Sequence, residues 1–289
     1  MKAQMAYIQA LSPIHAGTGQ AVSVIDLPIS REKTTGWPNV PGSSIKGVMR
    51  DRCRGLDGEC SEGLLDLAFG PDTEHSSDNA GEIIFGDAQL LLLPVRSFFG
   101  AFARATCPLA LRRLRRDHKA LGLACEVPTP AVAAGECLLG AEGSVLAHDG
   151  RVYLEDLDFG ADSNPESLAV AEKLATALAP EGQREDFMKR LLILDDDSFT
   201  YLTETAVAVA ARIRLKEDTK TVDQGGLWYE ESLPSEAVLY SPWIVTPRKA
   251  EEDKLINLLG CLAQGIVQIG GNATVGRGLC RIALSGGVA

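Results

Sequence analysis

The sequence is short of several things, and each shortage closes a class of function. No run of about 18 or more consecutive apolar residues occurs, so no membrane-spanning helix is expected. The opening residues MKAQMAYIQALSPIHAG hold only a brief apolar stretch and no secretory cleavage signal, so the chain reads as cytoplasmic. Its seven cysteines, at 53, 60, 107, 125, 137, 261 and 280, are odd in number, widely spaced and without a CxxC pair. That pattern argues against a disulfide framework or a zinc site and suits small buried hydrophobes. There are four histidines and no HExxH, no triphosphate-binding loop and no recognisable serine–histidine–aspartate set. Positive charge is scarce too: 28 lysines and arginines face 39 acids, a net charge of −11. Taken over the whole surface, that balance weighs against nucleic acid as a partner.

What the chain has is more specific. Its 289 residues, 45% hydrophobic and 23% charged, suffice for one large globular domain or two small ones. Its charge is unevenly placed. Acids gather in 155–197, whereas Arg96, Arg104, Arg112, Arg113, Arg115, Arg116 and Lys119 share their stretch with one acid, Asp117. An acidic molecule can therefore carry a basic groove.

The stretch Gly36–Arg54 organises the rest. Pro38 and Pro41 keep the approach extended, Gly42 lets it turn, and Ser43 or Ser44 is suited to cap a helix. Ile45, Val48 and Met49 then form an inward face, with Lys46, Arg50 and Arg54 in a basic stripe alongside. Two readings stand for that stripe: a solvated charged face, or a track for a phosphate backbone beside a positive helix start.

Along the chain, 4–11 reads as a strand. AVSVIDLPISRE reads as a loop displaying Asp26, either a turn or capping residue or a carboxylate able to act as a base or hold a divalent cation. His15 is open in the same way, between a structural and a catalytic role. Glycine- and serine-rich segments around 55–63 and 70–82 read as surface loops about a short apolar turn at 64–69. Residues 82–95 read as a central strand, and 108–123 as a helix with Leu111, Leu114 and Leu121 inward and its bases outward. Residues 165–180 and 184–194 read as helices and 195–216 as strand. In its last residues Arg212, Arg214 and Lys216 alternate, so they share one face. With the turn at 223–226, Trp228, Tyr229 and the strand at 237–245, the segment from about 200 to 245 reads as a long hairpin arm. It is either an edge protected by charge or an arm lying on nucleic acid. After a helix at 249–265, the loop GGNATVGRG lies between two strands. Its glycines let backbone amides approach a phosphate, and Arg277 adds charge. The strand–helix–strand order at each end suggests two ferredoxin-like halves, a fold of many RNA-binding modules.

Four stretches in order, HAGTG with IDLPISRE, VPGSSIKGVMRD, LLLLPVRSFFGAFARATCPL and GGNATVGRG, resemble the RAMP superfamily of CRISPR proteins. More narrowly, they are similar to the fourth, repeated subunit family that forms the backbone of type III-B (Cmr) RNA-targeting complexes. The resemblance spans most of the chain; the glycine loop alone is unspecific. It implies an α+β fold: one RRM/ferredoxin-like RAMP domain over 1–289, with inserted helices and a β-hairpin thumb. It also implies copies stacked head to tail on guide RNA, beside other Cmr subunits, and cutting of complementary target RNA at regular intervals with a divalent metal, Mg or Mn. On this resemblance Asp26 is the cleaving residue and metal ligand, with His15 and Glu230 as helpers. Lys46, Arg50, Gly271 and Asn272 match the guide-binding helix and loop, and Arg31 is expected to hold a phosphate. Ser43, Ser44, Arg212, Arg214 and Arg277 complete the expected RNA contacts. Two alternatives stay open: a guide-RNA scaffold without cutting, and a nuclease that processes precursor guide RNA. The small number of histidines weighs against the second.

Overall fold

The computed structural model describes residues 2–19, 24–56, 61–71, 80–246, 251–285 and 287–288. The chain enters as β1 (Lys2–Ala10), then passes through a loop and the two-residue β2 (Asn39–Val40) into helices α1 (Gly42–Arg54) and α2 (Glu62–Phe69). Next come β3 (Ile83–Phe85), β4 (Ala88–Arg96), β5 (Phe102–Thr106) and α3 (Pro108–Ala120). Short strands β6 (Ala124–Cys125), β7 (Glu136–Leu139), β8 (Ala147–His148), β9 (Arg151–Leu154) and β10 (Leu157–Asp162) lead to α4 (Pro165–Leu178). Then follow α5 (Arg184–Lys189), β11 (Leu191–Leu194), α6 (Asp196–Thr205) and the pair β12 (Ala208–Leu215) and β13 (Val222–Ser232). β14 (Val238–Val245), α7 (Glu252–Ala263), β15 (Ile266–Gln268), β16 (Leu279–Ser285) and β17 (Gly287–Val288) end the order.

β1 is apolar on both sides, and both sides are covered: Ala6, Ile8 and Ala10 point into one core, Met5 and Tyr7 into the other. A strand buried on two faces belongs at the centre of a sheet. β16, β1, β14 and β4 are neighbours in that order, all antiparallel. With α1 between β1 and β4 and α7 between β14 and β16, this is one ferredoxin-like unit. The two ends therefore share a single unit rather than forming two halves. Everything from Ser97 to Ala237 is inserted between its second and third strands. The insertion extends the sheet through β5, β11, β7, β10, β9 and β8. Ile45, Met49, Leu255 and Leu259 pack on one face, Leu111, Leu114, Val170 and Leu174 on the other.

Several expectations are corrected. Asp196–Thr205 is helix, because Asp195 caps α6, accepting the amides of Asp197 and Ser198 at 3.2 and 3.0 Å. Leu191–Leu194 is a buried strand, not the end of a helix. The apolar turn at 64–69 is α2, capped by Ser61. β14 lies in the middle of the main sheet, so the arm is Ala208–Ser232 alone. Cys53 is disulfide-bonded, so it is more than a small buried hydrophobe, whereas Cys107, Cys137 and Cys280 are buried free thiols as expected. Residues 57–60 and 72–79, within the expected surface loops, lie outside the described residues.

Candidate RNA-cleaving site at the root of the arm

Four segments far apart in sequence meet where β12 and β13 leave the body. The loop after Val24 meets β13 through a parallel bridge of Leu27 with Glu230. Leu27 N donates to Tyr229 O at 3.0 Å, and Glu231 N to Leu27 O at 3.0 Å. The carboxylate of Asp26 secures the pairing, accepting the Tyr229 amide at 2.8 Å through Oδ2. Asp26 is half-buried, so the pairing fixes its carboxylate without sealing it from solvent.

His15 stands in the turn that leaves β1, with Nδ1 2.7 Å from the carbonyl of Glu231. A carbonyl only accepts, so Nδ1 carries the proton, and Nε2 of the neutral ring keeps its lone pair. Gly17 leaves room for this ring: a Cβ there would come within 2.6 Å of His15 Nε2 and push the imidazole aside. The His15 carbonyl accepts Gly271 N at 2.8 Å, and Pro13 O accepts Gly278 N at 2.9 Å. Both ends of the glycine loop are thereby tied to the turn that carries His15. Asn272 takes a left-handed backbone, φ 62°, which lets its carbonyl accept Val275 N and Arg277 N, each at 3.2 Å. Gly271 and Asn272 remain exposed and Arg277 half-buried.

On the arm, alternation sorts the side chains into two faces. Arg212 opposes Trp228 and Ala210 opposes Glu230, so Arg212, Trp228 and Glu230 share one face, with Arg214 exposed further along. Glu230 is buried and directs its carboxylate to Arg212 at 3.4 Å. The other face pairs Ile213 with Leu227 and Leu215 with Val222. Those four, with Val209 and Tyr229, are 43–54% exposed, an apolar strip that the body leaves uncovered.

Two expectations change on this geometry. Arg31 turns inward: Nη2 pairs with Glu231 Oε1 at 2.5 Å, and Nη1 donates to Gly36 O and Thr203 O at 2.8 and 3.0 Å. Its guanidinium holds the protein together, a different task from gripping a phosphate. Ser43 and Ser44 do not cap α1. The helix begins at Gly42, directly after Pro41, and Asp87 Oδ1 accepts Gly42 N at 2.7 Å. Both serines instead sit exposed in the first turn. Lys46 and Arg50, beside Ser43, line a groove of about 700 Å³ walled by Phe69 and Phe85. Arg50 also donates to Pro71 O at 3.4 Å, and Arg54 pairs with Asp51 at 3.1 Å. The groove connects to the root of the arm through the backbone: Arg31 bridges Pro38, and Asn39 N donates to Ser30 O at 3.0 Å.

The bases of α3 are largely engaged with acids. Arg113 grips Glu32 at 2.7 and 2.8 Å over the Trp37 ring, Arg112 meets Asp196 and Arg116 meets Asp117. Among the described residues, no group of three or more His, Cys, Asp or Glu side chains forms a metal cage. A lone carboxylate such as Asp26 suits a hydrated Mg-type ion shared with substrate phosphates, and does not suit a closed protein site.

Glu231 is the residue that sequence reasoning missed. It forms a doublet with Glu230, and a strand sends adjacent side chains to opposite faces. Only the register of β13 against the Asp26 loop decides which acid meets Arg31.

The sequence pattern of the RAMP superfamily matches residues 7–281. The chain is 36% identical over 294 residues to the CRISPR system Cmr endoribonuclease Cmr4 of Pyrococcus furiosus, covering 98% of this chain and 96% of that protein. The crystal structure of oligomeric Cmr4 from Pyrococcus furiosus is similar with a TM-score of 0.78 at 30% identity, over 99% of this chain and 98% of that one. A subunit in the cryo-EM structure of the type III-B Cmr-beta complex bound to cognate target RNA has a TM-score of 0.77 at 20% identity, over 98% and 97%, a likeness of fold alone.

Proposed function

The chain belongs to the RAMP superfamily, and from that membership we propose that it is the repeated backbone subunit of a type III-B CRISPR effector. In this reading it acts in the cytoplasm as stacked copies on guide RNA, alongside other Cmr subunits, and cuts complementary target RNA at intervals set by the stack. Head-to-tail stacking is heterologous, so it extends without closing. No described helix is long and apolar enough to cross a membrane.

The observation that carries the cutting assignment is the seat of Asp26. Its carboxylate is fastened by the Tyr229 amide to the root of an arm with an exposed apolar face. Such a face presses on unstacked bases, since every base offers a ring face to apolar side chains. A nucleotide displaced at the arm has left helical geometry, and its 2′-hydroxyl can turn in line with the neighbouring phosphate. Positioning then supplies much of the rate. Asp26 is suited to hold a divalent cation, Mg or Mn, which when bound supplies charge for the reacting phosphate. His15 offers the Nε2 lone pair for a proton, its ring orientation set by Glu231 O. Glu230 contributes by fixing Arg212 on the arm. Lys46, Arg50 and the exposed residues Gly271 and Asn272, with Arg277, are the guide contacts in this assignment.

The test is Asp26→Ala, with Asp26→Asn, in the assembled complex. Guide and target binding are expected to persist while target cutting stops. Undiminished cutting would leave a guide-binding scaffold whose nuclease resides elsewhere.

A further inference from the structure

Arg31 and Glu231 form a second buried system at this site, and it touches every part that has to be aligned. Glu231 is 3% exposed. Its Oε1 takes the Arg31 guanidinium at 2.5 Å, and its Oε2 accepts Ile29 N at 3.0 Å, three residues beyond Asp26. The other Arg31 nitrogen reaches Gly36 O and Thr203 O. Thr203 lies in α6, which feeds β12, and Glu231 lies on β13. One guanidinium therefore grips both roots of the arm, while its carboxylate partner grips the Asp26 loop.

We propose that the Arg31–Glu231 pair is a positioning clamp: it fixes Asp26 relative to the arm, so that the nucleotide the arm displaces meets the carboxylate. This rests on the reading of Asp26 as the cleaving residue. The physical ground is that Glu231 is withdrawn from water and Arg31 is partly so, with both satisfied by each other and by backbone. Side-chain exposure is 24% for Arg31 and 4% for Glu231. Removing either one strands the other as a buried charge, which drives local rearrangement of the segment it holds. The backbone pairing of Leu27 with Tyr229 and Glu231 remains in either variant, so the loop stays attached but loses its fixed distance from the arm. Misplacement by about 1 Å at a reacting centre costs on the order of 100-fold in rate. Neither side chain has to touch RNA for this.

The experiment uses the assembled complex with guide RNA and a saturating complementary target RNA, and measures the single-turnover cutting rate beside target affinity across salt. Glu231→Ala and Arg31→Ala are each expected to slow cutting by about 10-fold or more, with affinity and its salt slope unchanged. The double variant is expected to be no slower than the worse single, because both changes break one device. Glu231→Gln, which keeps an acceptor for Ile29 N but loses the charge pair, is expected to fall between. Arg31→Ala that instead weakens target binding with a shallower salt slope, while Glu231→Ala cuts normally, would overturn the clamp and make Arg31 a phosphate ligand. Normal cutting by both single variants overturns it as well. Hydrogen exchange at Ile29 separates this idea from the Asp26 assignment. In the Glu231→Ala complex that amide is expected to exchange faster. Unchanged protection sinks the clamp whatever Asp26 does, and cutting by Asp26→Ala sinks only the assignment of Asp26.

Discussion

Changing Lys46 and Arg50 together to alanine removes two cations from one groove, and the expected loss is calculable. Both line the 700 Å³ cleft beside Phe69 and Phe85, one helical turn apart. Arg54 is left out of the count because Asp51 holds it at 3.1 Å. Each phosphate neutralised on a single strand contributes about −0.7 to the slope of log affinity against log salt, so two contribute about −1.4. Referred to 1 M salt, that is about 25-fold in guide affinity at about 0.1 M, or ~1.9 kcal/mol, and about 4-fold at about 0.4 M. The Arg50 bond to Pro71 O lowers the yield, since part of that charge is already occupied. The assay is fluorescence anisotropy of labelled guide RNA with the assembling protein over a salt series. Coincident lines, with equal affinity and equal slope for variant and parent, would refute the reasoning and return the stripe to an ordinary solvated face. Parallel lines set apart by a constant offset would point instead to lost shape in the helix.

Three further outcomes are expected. Ile213→Asp with Leu227→Asp, a cross-strand pair 54% and 53% exposed, should leave the melting temperature and guide binding near the parent's but abolish regular cutting; retained cutting would remove the arm from the mechanism. Chelation by EDTA should stop cutting of bound target without releasing it, and Mg or Mn should restore it; full activity in EDTA would exclude a divalent ion. His118 donates Nδ1–H to Leu114 O at 2.9 Å and accepts the Tyr7 hydroxyl at Nε2, 3.3 Å away, while burial holds its pKa below the ordinary 6.5. The unfolded chain then binds the extra proton first, so this contribution is intact above pH 6.5 and is lost as pH falls through the folded value. His118→Phe should be less stable at neutral pH but flatter in thermal melts over that acid range, and parallel pH profiles would contradict the assignment.

The local features were legible and the long-range ones were not. Periodicity marks α1, α3, α4 and α7, prolines mark the starts of α3 and α4, and alternation marks the two faces of the arm. The resemblance singled out His15, Asp26 and the glycine loop, but not that the backbone bonds of Leu27 and Gly271 tie all three to one region. The start of α1 was misread because its first amide is satisfied by Asp87, 45 residues away, which no local pattern announces. Arg31 was misread because a loop arginine looks available until its buried acid is known. The helix α6 was hidden by the β-branched run after it, although Asp195 with acids in the first turn is a helix-start signal. The centrality of β14 was missed because its partners, β1 and β4, lie far upstream.

The placement of the glycine loop has a consequence for biogenesis. β1 waits beside β14 for β16 to close its other edge, and the turn carrying His15 waits for Gly271 and Gly278 to fasten it. A ribosome releases the arm and the Asp26 loop well before those partners emerge. The turn that carries His15, the Asp26 loop and the arm are therefore made well before the glycine loop and β16 that fasten them, so the candidate site is completed only after those late segments have emerged.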